Sequence, residues 1–234
     1  MKMPFQIIPL LITGLVLMSV SGCKKDQDNL QPGTVKDTDG NTYKIVEIGD
    51  QWWMAENLKT TRYNDGTLIP NQPDDTLWVD LTTGAYCWYD NNYNNLGSVY
   101  GALYNWFAVS TGKLCPQGWH VPTDEEWTKI ISYLGELTVA GGKLKTTGTF
   151  EGGTGLWRDP NTDATNESGF LGLPGGRRDN YGNFGHVGYY GDWWSSTAGS
   201  TTTAWSRELG YNYSNVYKGS SNKGLGFSVR CVKD

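Results

Sequence analysis

A chain of 234 residues with 11 tryptophans, 31 glycines and a net charge of −5 suits one large or two small domains, rich in aromatics and turns. The acidic balance, with a sequence pI near 5.1, supplies no basic stripe to release counterions from phosphates, which argues against nucleic acid as a partner.

At the amino terminus, Lys2 precedes an apolar run over 7–20 that is too short for a stable membrane span and has the make-up of a secretory signal peptide. Its end, Val20-Ser21-Gly22-Cys23, resembles the lipobox of bacterial lipoproteins, which implies cleavage after residue 22 and lipidation of Cys23. Acyl chains on Cys23 would then hold the protein to a membrane. Residues 23–34 read as a polar tether, and the run Lys24-Lys25-Asp26-Gln27-Asp28 resembles the surface-export signals of some Bacteroidetes lipoproteins. The expected address is the cell envelope, as an outer-membrane lipoprotein facing outward.

Residues 35–63 read as antiparallel strands, with Asp39-Gly40 and Gly49-Asp50 as turns. Asp37, Asp39 and Asn41 alternate like the start of an EF-hand loop. Gly40 comes too early, however, and Ile48 stands where the closing glutamate belongs, so a hairpin turn is expected. Residues 64–83 read as an irregular excursion and 85–90 as a strand. The spacing of Leu103, Trp106 and Phe107 predicts a helix over 100–109.

The stretch 115–127 holds the firmest local signal. Pro116 and Pro122 bracket a short strand over 118–121. Thr123 and Glu126 then form a capping box, and Asp124, Glu125 and Glu126 sit at the positive end of the helix dipole. Trp127, Ile130, Ile131 and Leu134 mark one buried face, and Gly135 a left-handed stop, so a helix is expected over 124–134. Gly141-Gly142-Lys143 looks like a phosphate loop but lacks the following Ser or Thr, the glycine spacing and a preceding buried strand. Strands are expected near 193–196, 204–209, 215–217 and 226–232. In the last, Phe227, Val229 and Cys231 face inward and Ser228, Arg230 and Val232 outward. Cys231 is therefore expected to pair with Cys115, with Cys87 as the competing partner.

Several segments are similar to the Fibrobacter succinogenes major paralogous domain, a family of secreted and lipid-anchored bacterial proteins. The resemblance rests on Asp39-Gly40-Asn41 with Tyr43, on Trp53-Met54-Ala55-Glu56-Asn57-Leu58, on Tyr100-Gly101-Ala102-Leu103-Tyr104-Asn105-Trp106 and on the 115–127 stretch. It continues through Asn166-Glu167-Ser168-Gly169-Phe170, Leu173-Pro174-Gly175-Gly176, Trp193-Trp194-Ser195-Ser196-Thr197 and 226–231. The family brings no settled activity with it. More distantly, 121–127 and 227–231 look like elements of the formylglycine-generating, sulfatase-modifying enzymes, which implies a C-type lectin-like α+β fold. In that fold two short helices pack on small twisted antiparallel sheets with long loops. One domain over 35–234 is expected, after a signal peptide over 1–22 and the tether over 23–34.

Tyr189, Tyr190, Tyr211 and Tyr213, set among Gly, Ser and Asn, have the composition of a recognition surface. With Asp192 and Asn212 they are the candidate ligand-binding residues, for glycans or another surface ligand. The Gln72-Pro73-Asp74 triplet lies too early to act as a lectin calcium loop. The related oxidases need a reactive cysteine pair before the terminal strands, and 195–215 contains no cysteine. His120 and His186 show neither metal-ligand spacing nor a hydrolase motif. The expectation is a binding protein without cofactor or catalysis, with an architectural lipoprotein bound to a protein partner as the alternative and an oxidase as the remote one.

Overall fold

The hairpin foreseen at Asp39-Gly40 opens the fold of the computed structural model, which describes residues 33–234. The signal peptide, Cys23 and nearly all of the tether lie outside the described residues. Strand β1 (Thr34–Lys36) pairs antiparallel with β2 (Thr42–Ile48), and β2 with β3 (Gln51–Met54). Asp37 holds the first turn by accepting from the Asn41 backbone N–H at 2.9 Å and from its side-chain amide at 2.8 Å, while Gly40 takes φ 84°. The acidic alternation thus serves a turn. Thr34, placed at the end of the tether, already belongs to the sheet.

Helix α1 (Asp75–Val79) interrupts the expected excursion, with Asp74 capping it through Leu77 N–H. Strand β4 (Tyr86–Trp88) is followed by tight turns over 89–97, α2 (Ser98–Tyr100), β5 (Ala102–Tyr104) and α3 (Trp106–Val109). The helix expected over 100–109 is therefore wrong. Gly101 takes φ 82°, 102–104 pairs with β4, and the Asn105 side chain caps a fresh turn through Ala108 N–H. Tertiary pairing overrides the apolar spacing there.

Strand β6 (Trp119–His120) and helix α4 (Asp124–Tyr133) fall where expected, with both halves of the capping box made and Gly135 at φ 102°. Residues 140–144 form a short helix, α5 (Ala140–Leu144), in which Gly141 and Gly142 pack closely against the backbone of other segments. A Cβ on either would lie 2.5 or 2.4 Å from a carbonyl oxygen. The remainder comprises β7 (Arg177–Arg178), β8 (Phe184–Gly185), β9 (Tyr190–Ala198), β10 (Thr203–Gly210), β11 (Val216–Asn222) and β12 (Val232–Lys233). One sheet runs β1-β2-β3-β12-β6 and another β11-β10-β9, with two small two-stranded sheets besides. The class is mixed α+β, and among the described residues α4 is the longest helix.

Two apolar cores lie on either side of a layer made by β3, the terminal stretch and β9. Successive residues point to opposite faces of a strand, so Met54, Cys231 and Trp194 enter one core, and Trp53, Val232 and Trp193 the other. The outward face predicted for 226–232 is accordingly a correction: Ser228, Arg230 and Val232 are as buried as Phe227, Val229 and Cys231. The buried guanidinium of Arg230 donates to Asn57 Oδ1 (2.6 Å) and to the carbonyls of Met54 (3.0 Å), Phe170 (2.5 Å) and Leu171 (3.0 Å). Asn57 also accepts from Trp193 Nε1 at 2.9 Å and donates to the Tyr100 carbonyl at 2.8 Å. This polar seam satisfies buried groups between two dry layers. Cys115 and Cys231 are joined across 116 residues, while Cys87 is free and buried, and burial pushes its thiol up to about 12 against the pull of Arg178.

Candidate functional site

The tyrosines of the C-terminal loops do come together. Tyr190 begins β9 opposite Gly210 at the end of β10, and Tyr211 N–H donates to the Tyr189 carbonyl at 2.9 Å. Tyr189 and Tyr211 meet edge to face at 5.2 Å, and Tyr190 lies 6.2 Å from Tyr211 and 6.5 Å from Tyr213. Tyr189 is exposed, and the Arg158 guanidinium lies over it at 5.4 Å; Asn212, next to Tyr211 in the chain, is also exposed. Asp192 differs from the others. Directly opposite Glu208 in the register, it lies buried. Burial pushes its carboxyl up to about 8, opposed by Arg177 at 3.5 Å and reinforced by Glu208. Tyr213 turns its hydroxyl inward to Glu208 at 2.7 Å. Tyr189 is exposed while Tyr190, Tyr211 and Tyr213 are half-buried, which leaves it as the main open ring.

A second aromatic group, which the sequence reading passed over, lines an open groove of about 370 Å³. Its walls are Tyr86, Trp88 and Tyr93, and its polar groups come from Asp39, Asn41, Lys59 and Thr61. Trp88 meets Tyr93 at 4.7 Å and 60°, and Tyr86 at 5.3 Å and 76°, which forms a corner of aromatic faces. The turn over 93–97 presses Gly97 against Trp88. A Cβ there would lie 2.7 Å from the indole Cε3, so glycine is what allows the ring its place. Asp39 is fully engaged: Oδ2 accepts from the Thr61 N–H (2.5 Å) and hydroxyl (2.9 Å), and Oδ1 pairs with Arg62 at 3.2 Å. The signal in the sequence is Trp88 shortly before the turn Asn91-Asn92-Tyr93-Asn94-Asn95, which sets a second aromatic among amides.

Lys59 also lines a neighbouring pocket of about 200 Å³, shared with Glu56, Asn57, Val99, Gly101 and Leu171 among others. Segments that carry the family resemblance, 53–58, 100–106 and 173–176, all contribute to this wall. Gly101 is required, since a Cβ would stand 2.8 Å from both Asn57 Cβ and the Leu58 carbonyl oxygen. Leu171 adopts φ 54°, a conformation unfavourable for a bulky side chain, and its carbonyl is held by Arg230.

The histidines have separate settings. His120 bridges Glu126 at 2.9 Å and Asp234 at 2.6 Å, and its pKa is raised to about 9 by Glu126 and, against burial, by Asp234. His186 packs on Tyr190 at 5.2 Å, and burial with Arg177 nearby lowers its pKa. Gln72 and Pro73 offer their carbonyls to Arg178, which anchors the α1 excursion between Trp78 and Phe184.

No curated protein and no solved structure matches the chain. The family model described as the Fibrobacter succinogenes major domain matches residues 46–233, which takes in the aromatic groove, the neighbouring pocket and the tyrosine cluster almost whole. The chain belongs to the Fibrobacter succinogenes major domain family.

Proposed function

We propose that this chain is a non-catalytic binding module of the cell envelope, anchored by lipid at Cys23, that holds carbohydrate on a lectin-like α+β frame. The observation that carries the reading is the Trp88–Tyr93 corner, set in an open groove beside Asn41, Lys59 and Thr61. Sugar rings present apolar C–H faces that stack on aromatic rings, and their hydroxyls exchange hydrogen bonds with amide, hydroxyl and ammonium groups. The groove's size falls near the lower end of the range for small-ligand sites, roughly 300–1,000 Å³, and suits one or two sugar units. The tyrosine cluster is the lesser platform, since one ring lies open there.

Absence of catalysis is supported by the state of the cysteines. The related oxidases use paired thiolates, whereas Cys115 and Cys231 are spent on each other and Cys87 is buried with a raised pKa. An architectural role finds one supporting feature. Strand β11 is an edge of its sheet and exposes Tyr217, as a surface for a protein partner would. The test is titration of the full chain, purified in detergent, against a panel of glycans, read by tryptophan fluorescence and repeated with Trp88→Ala. Binding that Trp88→Ala abolishes supports the carbohydrate reading; uniform failure to bind favours the architectural one.

A further inference from the structure

We propose that the ligand of the Trp88 groove is an acidic saccharide, its ring on Trp88 and Tyr93 and its carboxylate or sulfate held by the Lys59 ammonium. This rests on the carbohydrate reading and narrows it. Lys59 lines both the groove and the neighbouring pocket, so one flexible cationic side chain borders the two openings. Among the described residues no ion pair includes it. Its contact with the Tyr43 ring is a loose one, at 5.9 Å. The ammonium has three donors, and among the described residues none of them reaches a protein acceptor.

The surrounding charges favour an anion at that point. Asp39, the acid of the groove, is matched by Arg62 and by the Thr61 donors, so it leaves Lys59 uncompensated. Asn41 and Thr61 are neutral, and so are Ser98 and Thr146 of the pocket. Glu56, on the pocket wall, is the opposing charge. It accepts from the Lys44 N–H at 3.1 Å and, among the described residues, forms no ion pair. It should therefore weaken an anionic ligand that reaches into the pocket. The net charge of −5 adds repulsion at long range, so selectivity must come from the local cation and not from steering.

The experiment compares three probes on the full chain in detergent: an oligogalacturonate, its neutral methyl ester, and a sulfated oligosaccharide of the same length. Either acidic probe should bind at least about fivefold tighter than the ester. Lys59→Gln should erase that preference while Lys59→Arg keeps it, and Glu56→Gln should enlarge it. Which acidic probe binds more tightly separates carboxylate from sulfate recognition. Equal binding of the ester overturns the acidic assignment and leaves the carbohydrate reading standing. A preference that survives Lys59→Gln overturns the role of Lys59, and failure of all three probes overturns the proposal outright. If neutral glycans of the wider panel fail as well, the carbohydrate reading falls with it.

Discussion

Arg230 is fully buried and, among the described residues, in no ion pair, with Glu56 acting on it only from a distance, and replacing it tests how the two cores are joined. Arg230→Met retains much of the volume and removes the charge. It also deprives three backbone carbonyls, those of Met54, Phe170 and Leu171, of the guanidinium donors that reach them. A buried acceptor left unsatisfied costs about 1–3 kcal/mol. Three of them give roughly 3–9 kcal/mol, offset by the desolvation that the missing guanidinium no longer suffers. Because the carbonyls cannot be removed along with the arginine, the gain seen when whole buried ion pairs are replaced by apolar groups is not open here. A net loss of about 3–5 kcal/mol is expected. Guanidinium unfolding followed by near-UV circular dichroism would measure it, since the tryptophans of both cores report on packing. Arg230→Lys should also destabilise, because one ammonium cannot reach four acceptors spread around a planar fork. A loss below about 1 kcal/mol for the methionine variant would refute the seam as the junction of the cores.

Opening the Cys115–Cys231 bond, by reduction or by paired alanines, releases a loop of 116 residues and should cost about 5 kcal/mol in the chain-entropy model. Non-reducing peptide mapping that finds Cys87 joined to Cys231 would overturn the pairing. Cys87 itself should resist thiol reagents until the protein unfolds. For His120 the folded pKa of about 9 lies above the unfolded value, so its contribution is complete below about pH 6.5 and is lost as pH rises through 9. Screening by solvent limits it to about 1 kcal/mol, and His120→Asn should flatten that slope in denaturation curves between these pH values. On the acid side, burial alone would raise Glu126, but His120 and the Thr123 donors outweigh it and hold it at about 2, so its contribution fades as pH falls from 4.5 towards 2. Gly97→Ala should displace the Trp88 indole and weaken glycan binding at least tenfold while the melting temperature shifts by only a few degrees, as titration and calorimetry together would show.

Local signals were legible where physics acts over a few residues. The capping box of Thr123 and Glu126, the turn at Asp39-Gly40 and the left-handed stop at Gly135 all stand where their chemistry places them. Long-range partners were not. Nothing within 100–109 says that 102–104 will pair with β4, and nothing within 226–232 says that both faces will be covered, because the second face is closed by Trp193, Phe170 and Asn57 from distant segments. The disulfide could be reached because an inward cysteine on the terminal stretch, just before β12, restricts its partners. The groove was harder to see. Its parts come from β4, from the turn over 93–97 and from the 39–61 region, and only the fold sets Trp88 and Tyr93 beside Lys59. The tyrosine cluster, by contrast, was visible as composition, but composition does not tell an open ring from one locked edge-on, nor that Asp192 is buried.

The most direct measurement is a crystal structure of the full chain bound to the tightest saccharide of the panel. The account predicts a sugar ring flat against Trp88 with Tyr93 as the second wall. A ligand seated on Tyr189 and Tyr211, or touching neither aromatic group, would contradict it.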